Sequence, residues 1–205
     1  MSEQEFEQET VEVEQWETAE VVLRPRWPKV IGIISIVWAS IGLACGGIGL
    51  LFLPFASSLM SMGLQEGEPV PYGLVSKPAD YAIAGLGFLF ALLLLFAGIA
   101  CVSHRPVTRV MHLVYGLAAI PMSLWSYMNQ MHKNELNAQW AKEFPNSEMA
   151  QGFDPAQNPA AAAGELIGLV ILIVFGFGIP LFYLIWFGLV KTKPEQITGG
   201  DEGVY

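Results

Sequence analysis

Charge is what this chain has least of. Charged residues fill 14% of its 205 positions and apolar ones 53%, where an ordinary soluble domain has roughly 25% and 45–50%, so a typical water-soluble fold is excluded. Four stretches, 30–65, 81–103, 113–131 and 166–190, contain no Asp, Glu, Lys, Arg or His. Runs of this kind read as membrane spans, because about 20 helical residues cross a hydrocarbon core roughly 30 Å thick. Basic residues are also missing from the start. Residues 1–20 carry eight Glu and no Lys or Arg, the opposite of a secretory signal's basic beginning. Ser2 is not the Gly that myristoylation needs, and Gly-Val-Tyr at the end is not a prenylation box, so the first span is expected to direct insertion itself.

Cysteine and histidine are scarce. Cys45 and Cys101 form no Cys-x-x-Cys pair, which argues against the four-span thiol oxidoreductases. Cys45 lies 16 residues beyond Lys29, about 24 Å into the first span. Cys101 is near the inner end of the second, so depth separates the sulfurs and both are expected as free thiols. The three histidines, His104, His112 and His132, are too few and too scattered for a haem or zinc site. Met128, Met131 and His132 fall within about one helical turn, a grouping that soft metals use, but no further ligand cluster joins them. No cofactor and no metal is therefore expected. The apolar runs hold no acid–base pair of the kind that intramembrane catalysis or proton coupling uses. Ser123 and His112 are eleven residues apart on one helix, about 16 Å, too far for a nucleophile and its base. No polar segment exceeds about 35 residues, which leaves no room for a separate catalytic domain.

What is present divides into three parts. Residues 1–24 form an acidic tail, expected to be disordered and cytoplasmic, with Phe6, Val11, Val13 and Trp16 as apolar anchors inside the charge run. Residues 25–192 form the membrane domain, and 193–205 a second cytoplasmic tail. Arg24, Arg26, Trp27 and Lys29 mark the first membrane surface, since basic side chains snorkel to the headgroups and Trp is enriched there. Spans are expected at 30–53, 81–103, 108–128 and 165–190, with outer loops at 54–79 and 129–163. Four prolines make 54–79 a connection. Ser103 to Val107 is short enough only for a tight turn between antiparallel neighbours. No helix breaker follows the third span until Pro145, so its helix extends past the membrane, with Leu136 and Trp140 as an apolar edge. Asn158 caps and Pro159 opens the fourth.

Small residues recur in the first span at Gly32, Ser35, Ala39, Gly42, Gly46 and Gly49, spaced 3, 4, 3, 4, 3. In lipid, spans associate by close packing that small residues permit, so these six are the expected helix-packing positions. Sparser versions run through Ala84, Gly87, Ala91, Leu94, Gly98 and Cys101, and through His112, Gly116, Ala119, Ser123 and Ser126. Pro121, Gly176, Gly178 and Pro180 interrupt regular helix in spans three and four.

Basic residues set the orientation. Arg24, Arg26, Lys29, Arg105, Arg109, Lys191 and Lys193 fall on one side and Lys77, Lys133 and Lys142 on the other, so both termini are expected in the cytoplasm. The text Trp27-Pro28-Lys29-Val30-Ile31-Gly32-Ile33-Ile34 through Gly42-Leu43 resembles small four-span bacterial membrane proteins of uncharacterised function. That resemblance implies the four-span architecture and no activity, ligand or site.

The expected protein is all-α, an antiparallel four-helix membrane bundle of the bacterial cytoplasmic membrane. It is read as a non-enzymatic packing or interaction module. Its expected partners are the lipid bilayer and a second copy or other membrane proteins, and no nucleic acid. Two other readings stand beside it: a small transporter or channel subunit for a lipid or weakly polar substrate, acting as an oligomer, and an enzyme with an outer-surface site around Asp80, Glu165 and His132.

Overall fold

The computed structural model describes residues 25–62, 64, 68–153, 159–191, 193 and 197. The acidic segment 1–24, the Asn158 cap, the Glu165 side chain and most of 193–205 lie outside the described residues. Within them the chain is helical, with no strand, and four helical stretches are long and apolar enough to cross a membrane: Trp27–Phe55, Pro78–Val102, Val107–Glu143 and Leu166–Val190.

Helix α1 (Trp27–Phe52) begins with Pro28 in its first turn, where a missing N–H costs nothing. The regular α-helix ends at Phe52, as the expected stop at Pro54 requires. Helical turns nevertheless continue, for Pro54 opens a 3₁₀ turn, Leu53–Phe55, and the short helix α2 (Ala56–Ser61) follows, because a proline is tolerated in a first turn as it is not in a helix interior. Helix α3 (Pro78–Val102) is capped by its own third residue: the Asp80 carboxylate accepts the Lys77 backbone N–H at 2.8 Å. A turn with His104 at φ 54° joins it to α4 (Val107–Glu143).

Helix α4 is 37 residues long, about 55 Å, far more than a bilayer core needs. The outer segment 129–163 holds helix where the run without a breaker up to Pro145 and the Pro159 start predict it: the last turns of α4 and α6 from Pro159, with the short α5 (Glu148–Phe153) between them. What holds this extension is the segment 68–77. Trp140, fully buried, donates its indole N–H to the Pro69 carbonyl at 2.9 Å and packs edge-on to Phe153 and against Phe144. Asn137 accepts the Gly73 N–H at 2.9 Å. A Cβ at Gly73 would run into the Lys133 carbonyl and lie 2.5 Å from Asn137 Oδ1, so only glycine lets the segment close on α4. We call this the cap end of the bundle, and the end carrying residues 103–106 the turn end.

The last span is not one regular helix. α6 (Pro159–Ile171) gives way to a π segment, Leu172–Gly178, then α7 (Ile179–Ile185), then a second π segment, Trp186–Val190. Pro180 cannot donate to Gly176 and its ring crowds that carbonyl. The wider turn ahead of it, in which Ile179 donates to Val174 five residues back, accommodates both.

The helices meet through glycine. A Cβ at Gly32 would lie 2.6 Å from Val102 Cγ2 and 2.7 Å from the Gly98 carbonyl, and one at Gly98 would lie 2.8 Å from the Gly32 carbonyl. Two backbones touch there. Gly116 plays the same part between α4 and α7, facing Leu184 and the Pro180 carbonyl. Around these crossings lie Ile31, Ala39, Leu94, Cys101, Tyr115, Tyr183 and Phe187, all buried.

Candidate functional site

The six packing positions in α1 divide at Gly42. Gly32, Ser35 and Ala39 are buried. Gly42 faces Ala91, its Cβ position 3.3 Å from that methyl, whereas Gly46 and Gly49 have open space within 4 Å. The seam is thus in close contact over the turn-end half of α1 and unfilled over the rest.

At its centre is a hydrogen-bonded hub that sequence reading missed. Ser35 Oγ lies 3.1 Å from His112 Nε2, 2.8 Å from the Tyr183 hydroxyl and 2.9 Å from the Ile31 carbonyl. His112 Nδ1 is 2.9 Å from the Thr108 carbonyl. A carbonyl only accepts, so Nδ1 carries the ring proton and Nε2 is an acceptor. Tyr183 then donates to Ser35, whose single proton is shared between His112 and Ile31. Ser35 was expected only as a packing position and His112 as part of the sparser series in span three; both are wholly buried, and Phe187 stacks on the imidazole at 4.4 Å. One signal was available. Ser35, His112 and Tyr183 lie 6, 3 and 8 residues from Lys29, Arg109 and Lys191, all within about 12 Å of the basic end at 1.5 Å per residue.

The turn end is tied by further bonds. Arg109 Nε donates to the Phe187 carbonyl at 3.0 Å, inside the second π segment, and Lys191 lies 5.5 Å over the Trp27 ring. His104 Nδ1 meets the Ile197 carbonyl at 3.0 Å. Cys45 is exposed and Cys101 buried, both free.

At the cap end, Asp80 and His132 of the outer-surface enzyme reading are not brought together, and the Glu165 side chain lies outside the described residues. Asp80 is buried and takes Lys133 Nζ and Asn129 Nδ2 on one oxygen, each at 2.8 Å. His132 faces Glu135 at 3.8 Å on the exposed side of α4. Met128 and Met131 are exposed, and among the described residues no three His, Cys, Asp or Glu converge as a metal-ligand group.

A feature with room for a ligand is a cleft of about 1200 Å³ between α4 and the α6–π stretch, at or beyond the upper size of ordinary small-molecule pockets. Its α4 wall carries six neutral polar residues, Ser123, Ser126, Tyr127, Gln130, Asn134 and Asn137, flanked by Met122, Met131 and Ala138. At 100° per residue these six fall within about 100° of arc, one stripe of the helix. The opposite wall is apolar, with Leu166, Leu169, Leu172 and Phe175, and Ile83 and Gly87 of α3 also line the space. Gly176 closes the deep end, its Cβ position 3.0 Å from Ser123 Cβ, and Phe175 is fixed beside it by stacking on Trp38 of α1 at 4.4 Å. From that pinned point α6 diverges toward the cap end, where Gly164 and Gly168 have nothing within 4 Å. Sequence reading listed Ser123, Ser126 and Gly176 for packing or kinking. That the stripe continues through Gln130 and Asn134, beyond the apolar run, was the unused signal.

No protein family, curated protein or solved structure matches the chain.

Proposed function

We propose that this is a non-enzymatic multi-pass protein of the bacterial cytoplasmic membrane that holds a lipid or weakly polar molecule in the α4–α6 cleft. The observation that carries the reading is the pairing of a hydrogen-bonding stripe with an apolar wall in one space of about 1200 Å³. A fully apolar groove suits an acyl chain alone, and a fully polar one suits a solute from water. An antiparallel bundle is supported by the order of contacts along α1, with Gly32 against Gly98, Gly42 against Ala91 and Gly47 against Phe88. Cytoplasmic termini are supported by the seven basic residues of 24–29, 105–109 and 191–193. Carriage across the bilayer needs a second copy to complete a path, and the unfilled seam at Gly46 and Gly49 is where another helix fits. Gly168→Trp tests the cleft, since it adds bulk where there is space. Mass spectrometry of protein purified in mild detergent should find an amphiphile at near-stoichiometric amount, lost from Gly168→Trp. Equal lipid content in both proteins would overturn the reading.

A further inference from the structure

We infer that the occupant of the cleft is an amphiphile with an uncharged head bearing hydroxyl or amide groups, and not an anionic phospholipid; this rests on the cleft being a ligand site at all. The polar wall offers neutral groups of both kinds. Gln130 Nε2 donates to Asn134 Oδ1 at 3.0 Å, which leaves Gln130 Oε1 as an acceptor and the Asn134 amide as a donor, one helical turn apart. A hydroxyl or amide both gives and takes a hydrogen bond and satisfies the two together. A fully ionised phosphate only accepts, and an ammonium only donates.

Charge points the same way. Neither Lys nor Arg is among the described cleft residues. The nearby ammonium, Lys133, is engaged by the buried Asp80 carboxylate at 2.8 Å. Among the described lining residues, Glu135 is the one that carries a charge. It repels an anion, while its 71% exposure and its contact with His132 weaken its pull on a cation. Depth sets the orientation. Gln130 is exposed at the cap end, whereas Phe175 and Gly176 lie at the pinned deep end beside Trp38 and Ser123. The head therefore meets Gln130 and Asn134, and the chain lies along Leu169 and Leu172 toward Phe175.

The test uses the full chain in lipid nanodiscs and three photoactivatable probes of equal chain length: a monoacylglycerol, an alkyl phosphate and an alkylamine. Crosslinked peptides are located by mass spectrometry. The monoacylglycerol is expected to label 166–176 most strongly. Labelling should fall by about fivefold or more in Gln130→Leu/Asn134→Leu, from the loss of one to two hydrogen bonds. Both side chains are at least partly exposed, so the double variant removes no core packing. Labelling by the phosphate or the amine that equals or exceeds the neutral probe overturns the head-group inference while leaving the cleft as a ligand site. Unchanged monoacylglycerol labelling in the double variant overturns it too. Failure of all three probes to label the cleft overturns the proposed function itself.

Discussion

Ser35 has one proton and three neighbours that bear on it. Tyr183 gives a hydrogen bond, while His112 and Ile31 compete to receive one. Because all of this is out of contact with solvent, removing the hydroxyl takes away the partner that His112 Nε2 and the Tyr183 O–H share, and each buried group left unpaired costs about 1–3 kcal/mol. Ser35→Ala should therefore lower the thermal unfolding midpoint in detergent clearly. Ser40→Ala, which removes an exposed hydroxyl bonded only to the Ile36 carbonyl, should hardly move it, and equal shifts would deny the hub its role. Tyr72, on the segment before α3, offers a residue-scale test of the cap end. Its hydroxyl donates to Glu143 Oε2 at 2.8 Å, and that bond, with the nearby negative charge, raises the phenol above its ordinary 10.0. A raised folded value favours the protonated, folded form, so the contact contributes below pH 10 and is lost as pH climbs through the folded value. Spectroscopic titration, with Tyr72→Phe as the difference reference, should find this phenol ionising late. Glu143→Gln should bring it back toward 10.

The elements show why some of this was legible beforehand and some was not. Four charge-free runs required four spans, since nothing else buries so many apolar residues without a charge among them. The 3,4 spacing in α1 likewise named the residues able to touch another helix. Spacing cannot say where along a helix the partner is, because Gly32 and Gly46 occupy equivalent places in the repeat. Only the crossing at Gly98 distinguishes them. Gly32→Ala should be destabilising by about 1–3 kcal/mol, as its methyl would meet backbone atoms that cannot move aside. Gly46→Ala has open space and should be neutral or slightly stabilising, through the better helix propensity of alanine. The measurement is the unfolding midpoint of each variant in one detergent, and a larger loss at Gly46 would place the working seam elsewhere. The hub was invisible for a different reason. Its partners are 77 and 148 positions apart, and pairing at that range depends on which helices become neighbours. The cap was half legible: a long uninterrupted helix with Trp140 was readable, but the fit of Gly73 and Pro69 on that helix is a three-dimensional match. Gly176, Gly178 and Pro180 announced irregularity without its form, since a kink and a π segment have the same sequence signals.

For the molecule as a whole, the two ends differ in kind, and that difference makes orientation testable. The turn end is basic and compact, with Arg105 in a short turn and Lys191 against Trp27. The cap end carries an extra layer of structure in which Trp140 is fully buried and the helix beyond the membrane is braced by residues 68–77. Positive residues stay on the cytoplasmic side during insertion, so the cap end should face outward. Cysteines for labelling must be placed where the surface is open. Ser147 is unsuitable, being 2% exposed and bonded to Glu68. Ser61 on α2 and Glu135 on α4 are exposed, and Arg105 is exposed at the opposite end. In a Cys45→Ala, Cys101→Ala background, an impermeant thiol reagent should label Ser61→Cys and Glu135→Cys in intact cells and Arg105→Cys only after permeabilisation. The reverse pattern would put the cap in the cytoplasm. The cleft, which opens toward the cap end beside Gln130, would then be filled from the inner leaflet and not the outer.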